Sequence, residues 1–249
     1  ALDRGEFELH YQPIVHLSDG SLAGCEALLR WPRQGGPGLP PSSFLPIAES
    51  CGLMPRLARY VIDAVARDAP ALLAHHPQAY VSLNLTPTDL GNAEVMAALA
   101  TLPERSGLPA RHFLIEVTEQ SFVNPQLARR SLEQIRALGM RVAIDDFGTG
   151  FSGLSRLGEM PSDCLKIDRS FVEAIGTDSP TREVALHIIG MADALGLTSI
   201  GEGIETPAQA DFLRQRGVRY GQGWLYGKAQ PMAMLLRGDL SVAAPALRD

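Results

Sequence analysis

Cysteine is scarce. The 249 residues hold three, Cys25, Cys51 and Cys164, with no CxxC pair. An odd, scattered set cannot form a disulfide framework, so each is read as a small buried hydrophobe in a reducing compartment. Long apolar runs are missing too: none approaches the roughly 18 residues of a membrane span. No membrane insertion by this chain is expected, and its place is cytoplasmic even if a parent protein is membrane-anchored. The start ALDRGEFELHYQP lacks the apolar centre of a signal peptide. It also lacks an initiator Met and enters a strand-like pattern almost at once, which reads as a domain cut from a longer chain or as a processed start. Basic excess is absent as well, since 22 Lys+Arg against 28 Asp+Glu leave a formal charge of -6. That balance disfavours a DNA or RNA polymer as partner, although a small anion can bind through local Arg or metal ions.

Several catalytic signatures are also missing. There is no Walker A, GxSxG or HExxH sequence. The six histidines include His75-His76 at a helix end, and His10, His16, His112 and His187 read as structural. A zinc enzyme and a histidine-based hydrolase are therefore disfavoured.

What is present is ordinary globular sequence, 45% hydrophobic and 20% charged, with no low-complexity tract. Short apolar strand candidates recur as HYQPIV (10–15), CEALLRW (25–31), YVSLNL (80–85), FLIEVT (113–118), RVAID (141–145), CLKID (164–168), TSIGEG (198–203) and YGQGW (220–224). Helix-like segments at 54–75, 125–138, 180–195 and 206–216 separate most of them. Gly139, Gly196 and Gly217 follow three of these helices, where a left-handed cap favours glycine. Strand–helix alternation implies a mainly parallel sheet covered by helices, and eight strands in about 250 residues predict a (β/α)8 TIM-like barrel. The first connection, HLSDGSLAG, is too short for a crossover and contains Asp19-Gly20, a hairpin signal. An antiparallel first strand follows. The Pro-rich stretch 32–43 then leads into a short helix. No linker is visible, so residues 1–249 read as one domain.

Polar residues interrupt these apolar strands at or near their C-terminal ends: Asn84, Glu116, Asp145 with Asp146, Lys166 with Asp168, Glu202 and Gln222. In a barrel those ends form one rim, where active sites sit. Glu26 and Arg30 lie within the second strand and, by alternation, share a face with Leu28. They form either a solvated pair or a buried carboxylate that needs a partner or a metal. Adjacent strand residues face opposite ways, so Asp145 and Asp146 can share a centre only if the backbone turns there, which Gly148 and Gly150 permit. Glu26, Asn84, Glu116, Asp145 and Asp146 form an all-oxygen set suited to Mg²⁺ or Mn²⁺. Lys166 can orient an attacking water or contact phosphate, or simply pair with Asp168 or Glu202. Thr118 and Glu119 stand where they can support the loop 145–152.

These residues match a family pattern. Glu26-Ala27-Leu28 with Arg30 is an ExLxR motif. With YQPIV, EALLRW, the Asn84 strand, EVTEQ, IDDFGTGFS, LKID, GEGIET and GQGW in order, the chain resembles the EAL domain family of cyclic di-GMP phosphodiesterases along nearly its whole length. The resemblance implies a (β/α)8 barrel that hydrolyses cyclic di-GMP to linear pGpG with two ions of Mg²⁺ or Mn²⁺. It implies Glu26, Asn84, Glu116 and Asp145 as ligands of one metal, and Asp145 and Asp146 of the other. Lys166 and Glu202 are then the groups at the catalytic water. Arg30 binds phosphate, with Gln12, Leu29, Glu205 and Gln222 as further substrate contacts. Glu119 anchors the loop after the strand at 141–145, with Thr118 and Asp168 beside it. A homodimer through residues 145–152 and 163–172 is expected on the same ground. The alternative within the family is a receptor that binds cyclic di-GMP without hydrolysing it, usually with eroded motifs. Departures from the usual pattern are Gly201 for Ala before Glu202, Phe151 and Gly153 for Tyr and Ser, and KAQP at 228–231.

Overall fold

Asp19 and Gly20 turn the chain between its first two long strands. Gly20 takes φ 74°, a left-handed conformation open to a residue without Cβ. Asp19 Oδ1 accepts from the Ser21 backbone N–H at 2.8 Å. The strands so joined, β1 (Glu8–His16) and β2 (Leu22–Arg33), run antiparallel, as the short connection predicts. The computed structural model describes residues 1–33, 36–148, 157–176 and 179–238.

Six further strands complete a ring: β4 (Tyr80–Leu85), β5 (Phe113–Thr118), β6 (Arg141–Phe147), β7 (Cys164–Ile167), β8 (Thr198–Gly201) and β9 (Tyr220–Gln222). From β2 through β9 the neighbours are parallel, and β9 returns to β1 antiparallel. This is the expected (β/α)8 TIM-like barrel with an antiparallel first strand. One strand lies outside the ring. β3 (Gly36–Leu39) pairs antiparallel with the end of β2, within the Pro-rich stretch that shows no strand pattern. Its register comes from Trp31 and Arg33 opposite, not from its own residues.

Among the described residues, the helices are α1 (Pro41–Ser50), α2 (Met54–His75), α3 (Pro87–Leu90), α4 (Ala93–Ser106), α5 (Pro125–Ala137), α6 (Arg169–Glu173), α7 (Pro180–Ala194), α8 (Pro207–Gln215) and α9 (Met232–Leu235). Asn124 caps α5 by accepting from the Leu127 N–H at 3.2 Å, and proline fills the first helical position. Gly139, Gly196 and Gly217 take φ values of 87°, 68° and 81°, the left-handed caps expected of them. One cysteine departs from expectation. Cys25 and Cys164 are buried, but Cys51 is exposed, because it is the cap residue that ends α1. No helix among the described residues is long and apolar enough to cross a membrane.

The barrel lumen is filled in layers. Its lower layer takes one residue from each ring strand: Ile14, Ala23, Tyr80, Leu114, Ala143, Cys164, Ile200 and Tyr220. Strand side chains alternate with period two, so the next inward position lies two residues on. Those positions hold Ser82, Glu116, Asp145, Lys166, Glu202 and Gln222. On antiparallel β1 the step runs backwards, from Ile14 to Gln12. On β2 it spans three residues, from Ala23 to Glu26, and the β1–β2 register is irregular at this point.

Candidate active site

The upper layer places one cation among four carboxylates. Lys166 Nζ lies 2.6 Å from Glu202 Oε1, 2.7 Å from Glu116 Oε2, 3.2 Å from Asp145 Oδ2 and 3.6 Å from Glu26 Oε2. The lysine is 1% exposed. Glu26 is held from two further sides: Asn84 Nδ2 donates to it at 2.7 Å and Gln222 Nε2 at 2.7 Å. Gln222 also donates to Gln12 Oε1 at 3.1 Å. The strand registers explain this convergence, since Gln12 pairs with Glu26 and Ile14 with Gln222.

One ammonium cannot neutralise four carboxylates, and the proton affinities divide accordingly. Burial alone would push Glu26 up, but Lys166 and the bonds from Gln222 and Asn84 hold it below the usual carboxylate range. Burial drives Glu116 well above that range, with the charges of Glu26 and Asp145 adding to it despite Lys166. Burial raises Glu202 to about 8. Lys166 pays its own desolvation and still sits well above the usual lysine value, because Asp145, Glu116, Glu202 and Glu26 surround it.

Asp146 stands outside the strand alternation. At φ 53° it is the one non-glycine among the described residues with a left-handed backbone, and the β6–β7 register shifts between Ile144 and Phe147. Aspartate tolerates this conformation better than most residues. The turn brings Asp146 beside Asp145, as two adjacent carboxylates at one centre require. Oxygen atoms of Asp145, Asp146 and Glu202 all lie within 4.8 Å of one another. Burial, followed by the Asp145 charge, raises the Asp146 carboxyl.

A cavity of about 280 Å³ opens over this floor and is lined by Gln12, Glu26, Leu28, Asp145, Lys166, Glu202, Glu205, Gln222, Arg169 and Trp224, among others. Two expected substrate contacts lie elsewhere on the rim. Arg30 lines a separate cavity of about 490 Å³ with Glu8, His10 and Trp31, and donates to the Leu29 carbonyl at 2.9 Å. Burial lowers its guanidinium from the usual value. Leu29 borders an apolar cavity of about 260 Å³ beside Asn84 and Asp89. Asp168 does not pair with Lys166. It caps α6, accepting from the Ser170 N–H at 3.0 Å. Thr118 sits opposite Asp145 in the β5–β6 ladder, and Glu119 opens the 3₁₀ turn that follows. Of the loop 145–152 that they were expected to support, residues 149–152 lie outside the described residues.

Two cavity residues escaped the sequence reading. Arg169 follows the end of β7 and Trp224 the end of β9; position just beyond a strand end was the available signal. Glycines let both approach. A Cβ on Gly203 would lie 2.4 Å from Arg169 Cγ, and one on Gly223 would lie 2.1 Å from the Ile204 carbonyl oxygen. At Gly201, where the pattern more usually has Ala, a Cβ would meet Leu213 Cδ1 at 2.6 Å, a side-chain end that can turn aside, so nothing here requires the glycine.

The chain resembles known proteins. The EAL domain family matches residues 1–229. The chain is 40% identical over 237 residues to the probable cyclic di-GMP phosphodiesterase PdeB of Escherichia coli K12, covering 95% of this chain and 45% of that protein. It is 40% identical to the cyclic di-GMP phosphodiesterase NbdA of Pseudomonas aeruginosa, covering all of this chain and 32% of that protein. The chain thus spans less than half the length of either relative. Among solved structures, the PaMucR phosphodiesterase in complex with c-di-GMP superposes with a TM-score of 0.89 at 34% identity, covering 94% of this chain and 96% of that one.

Proposed function

The chain belongs to the EAL domain family, and from that premise we propose that it is a metal-dependent phosphodiesterase hydrolysing cyclic di-GMP to linear pGpG. The observation that carries the proposal is the buried cluster of Glu26, Glu116, Asp145 and Glu202 around Lys166.

The residues fit divalent cations. The donor set is all oxygen and amide, which suits Mg²⁺ or Mn²⁺ rather than zinc. Glu116 Oε1 is fully buried with no hydrogen-bond partner, an orphan that a cation satisfies. Glu26, Asn84, Glu116 and Asp145 would hold one ion, and Asp145 with Asp146 a second. When bound, the ions supply charge neutralisation of the phosphate and a more acidic attacking water. We assign to the Lys166 ammonium the orienting of that water, and to Glu202, 2.6 Å from it and ionised when metals are bound, the uptake of its proton. The water oxygen bonds to phosphorus as the P–O3′ bond breaks; the departing O3′ takes a proton from solvent to become a hydroxyl, and the 5′ phosphate stays on the linear dinucleotide. Arg30 lies on the same rim and would pair with the other phosphate. Gln12, Gln222 and Glu205 line the cavity and would hydrogen-bond the sugar and base edges.

The test is product formation. Purified protein with Mg²⁺ or Mn²⁺ should convert cyclic di-GMP to pGpG, and EDTA should stop it. Ca²⁺, with its longer bonds of about 2.3–2.6 Å, should allow substrate binding without turnover. Tight binding with no pGpG under Mn²⁺ would make the chain a receptor. Full turnover in EDTA would remove the metals from the mechanism.

A further inference from the structure

The two tryptophans of this chain live in opposite surroundings. Trp31 is packed between Phe7 and Phe44, with ring centroids 5.2 and 5.7 Å away, and its indole N–H donates to Glu6 at 3.0 Å. Trp224 is 57% exposed. A side chain of that size left open at the mouth of a charged cavity adds little to the core.

Its position is nevertheless fixed. The Leu225 N–H donates to the Ile204 carbonyl at 3.0 Å, and the Tyr226 N–H to the Gly223 carbonyl at 3.1 Å. With Gly223 pressed on the Ile204 backbone, residue 224 cannot drift. Two cations flank the ring: Lys228 Nζ stands 4.6 Å from its centroid and the Arg169 guanidinium 5.5 Å. Arg169 is itself tethered, to Glu173 and, at 2.9 Å, to Glu205. The mouth of a carboxylate-floored cavity thus carries a rigid aromatic face between two positive groups. That pairing fits a nucleotide: the base has a π-face for the indole and the phosphate a charge for the cations.

We infer that Trp224 is a stacking platform for one guanine of the cyclic dinucleotide, and hence a residue by which this site selects nucleotide diesters over base-free ones. The inference rests on the phosphodiesterase reading of the same cavity. Stacking is made alike in the ground and transition states, so it acts on KM and far less on kcat.

The experiment compares wild type, Trp224→Ala and Trp224→Phe by pGpG formation and by calorimetric titration with cyclic di-GMP in Ca²⁺. Base stacking of ordinary strength predicts a rise of about 5–150-fold in KM and Kd for Trp224→Ala, with kcat moved far less and most of the loss recovered in Trp224→Phe. Binding should quench wild-type indole fluorescence and leave that of Trp224→Phe, whose one indole is Trp31, much less changed. An unaltered KM in Trp224→Ala, or no quenching on binding, overturns the inference while leaving the phosphodiesterase in place. A lowered melting temperature with KM and kcat falling together and no rescue by Phe makes Trp224 structural and overturns it too. Wild type that neither binds nor cleaves cyclic di-GMP defeats the functional reading itself.

Discussion

The lower and upper layers of the barrel lumen come from the same eight strands, two residues apart, and obey different physics. In the lower layer Ile14, Leu114, Ile200 and their neighbours form one apolar cluster with two tyrosine rings, Tyr80 and Tyr220, 6.1 Å apart edge to face, over which Arg141 and Arg219 lie. Each contributes by leaving water, at roughly 25 cal/mol per Å² of apolar area, and shape is the one requirement. In the upper layer every side chain is desolvated at a cost and must find a partner. Lys166 and Glu26 find partners there, Glu26 with help from Asn84 above; Ser82 Oγ, Glu116 Oε1 and Gln222 Oε1 are buried without one. The comparison teaches that the fold is held by one layer and the chemistry is mounted on the next. The upper layer is unfinished until more positive charge arrives.

Lys166→Met breaks the comparison most sharply, because it removes the layer's one internal cation while keeping much of its volume. Turnover should fall by about 10²–10³-fold, the range for removing one preorganised donor from a reacting centre. Cyclic di-GMP binding should stay measurable by calorimetry, since the phosphates rest on other groups. Without metal, the variant should also unfold more easily, by about 3–5 kcal/mol, as carboxylates left unpaired inside a protein do. Hydrolysis unchanged in this variant would mean that the lysine is only a counter-charge.

Leu114→Ala, one step below on β5, should do the reverse. Leu114 is fully buried, and the cavity left by truncation costs about 2–5 kcal/mol in urea unfolding. At temperatures where the variant stays folded, kcat/KM should hold within a few-fold, roughly the scale of a small positional shift. A large loss of activity at full foldedness would show that the layers are not separable.

The difference between the layers also explains what could be read in advance. Strands 80–85 and 113–118 were legible to the residue, because both are apolar runs ended by polar rim residues. The turn at Asp146 was legible because two adjacent aspartates cannot share a centre without one. β3 was not, since proline and glycine disguise a strand whose pairing is imposed by Trp31. Nor was the cavity that Arg30 lines: alternation puts Arg30 on the face of Glu26, but β2 runs past the ring, so Arg30 lines a cavity with Glu8, His10 and Trp31. Arg169 and Trp224 are ordinary surface and core residue types, and only assembly of β7, β8 and β9 puts them at one mouth. The four partners of Lys166 come from four strand ends; of the two pairings the sequence offered, Glu202 is made and Asp168 instead caps a helix.

The upper layer should respond to pH in opposite senses without and with metal. Glu116 and Glu202 keep protons in the metal-free folded chain at pH values where the unfolded chain has lost them. Folding then binds protons, so the stability they contribute is present below the ordinary carboxylate range and lost as pH rises, through about 8 for Glu202. Each net proton is worth about 1.4 kcal/mol per pH unit. Divalent metal needs deprotonated ligands and so binds better as pH rises. Melting temperatures in EDTA should decline from pH 5 to 8, while the stabilisation conferred by Mn²⁺ grows over the same interval. A flat profile in EDTA would mean that the carboxylates of the upper layer titrate as if they were in water.

The smallest effect probes whether the upper layer depends on residues behind it, as the lower layer does not. Thr118 lies opposite Asp145, and Glu119 begins the turn that leaves the strand there. Asp146 holds a left-handed backbone that costs about 1–3 kcal/mol unless its surroundings impose it. A carboxylate accepting from nearby backbone amides is a means of imposing it, and we assign that positioning role to Glu119. Glu119→Ala should therefore weaken Mn²⁺ binding and activity by about 10–100-fold, the usual range when the support behind a metal ligand is lost. Glu119→Gln, which can still accept one such bond, should recover part of the loss. Calorimetry with Mn²⁺ separates this from plain destabilisation, because metal affinity must move while the melting temperature in EDTA stays close to wild type. If both variants bind Mn²⁺ as wild type does, Asp146 is held by its own strand and Glu119 is a surface residue.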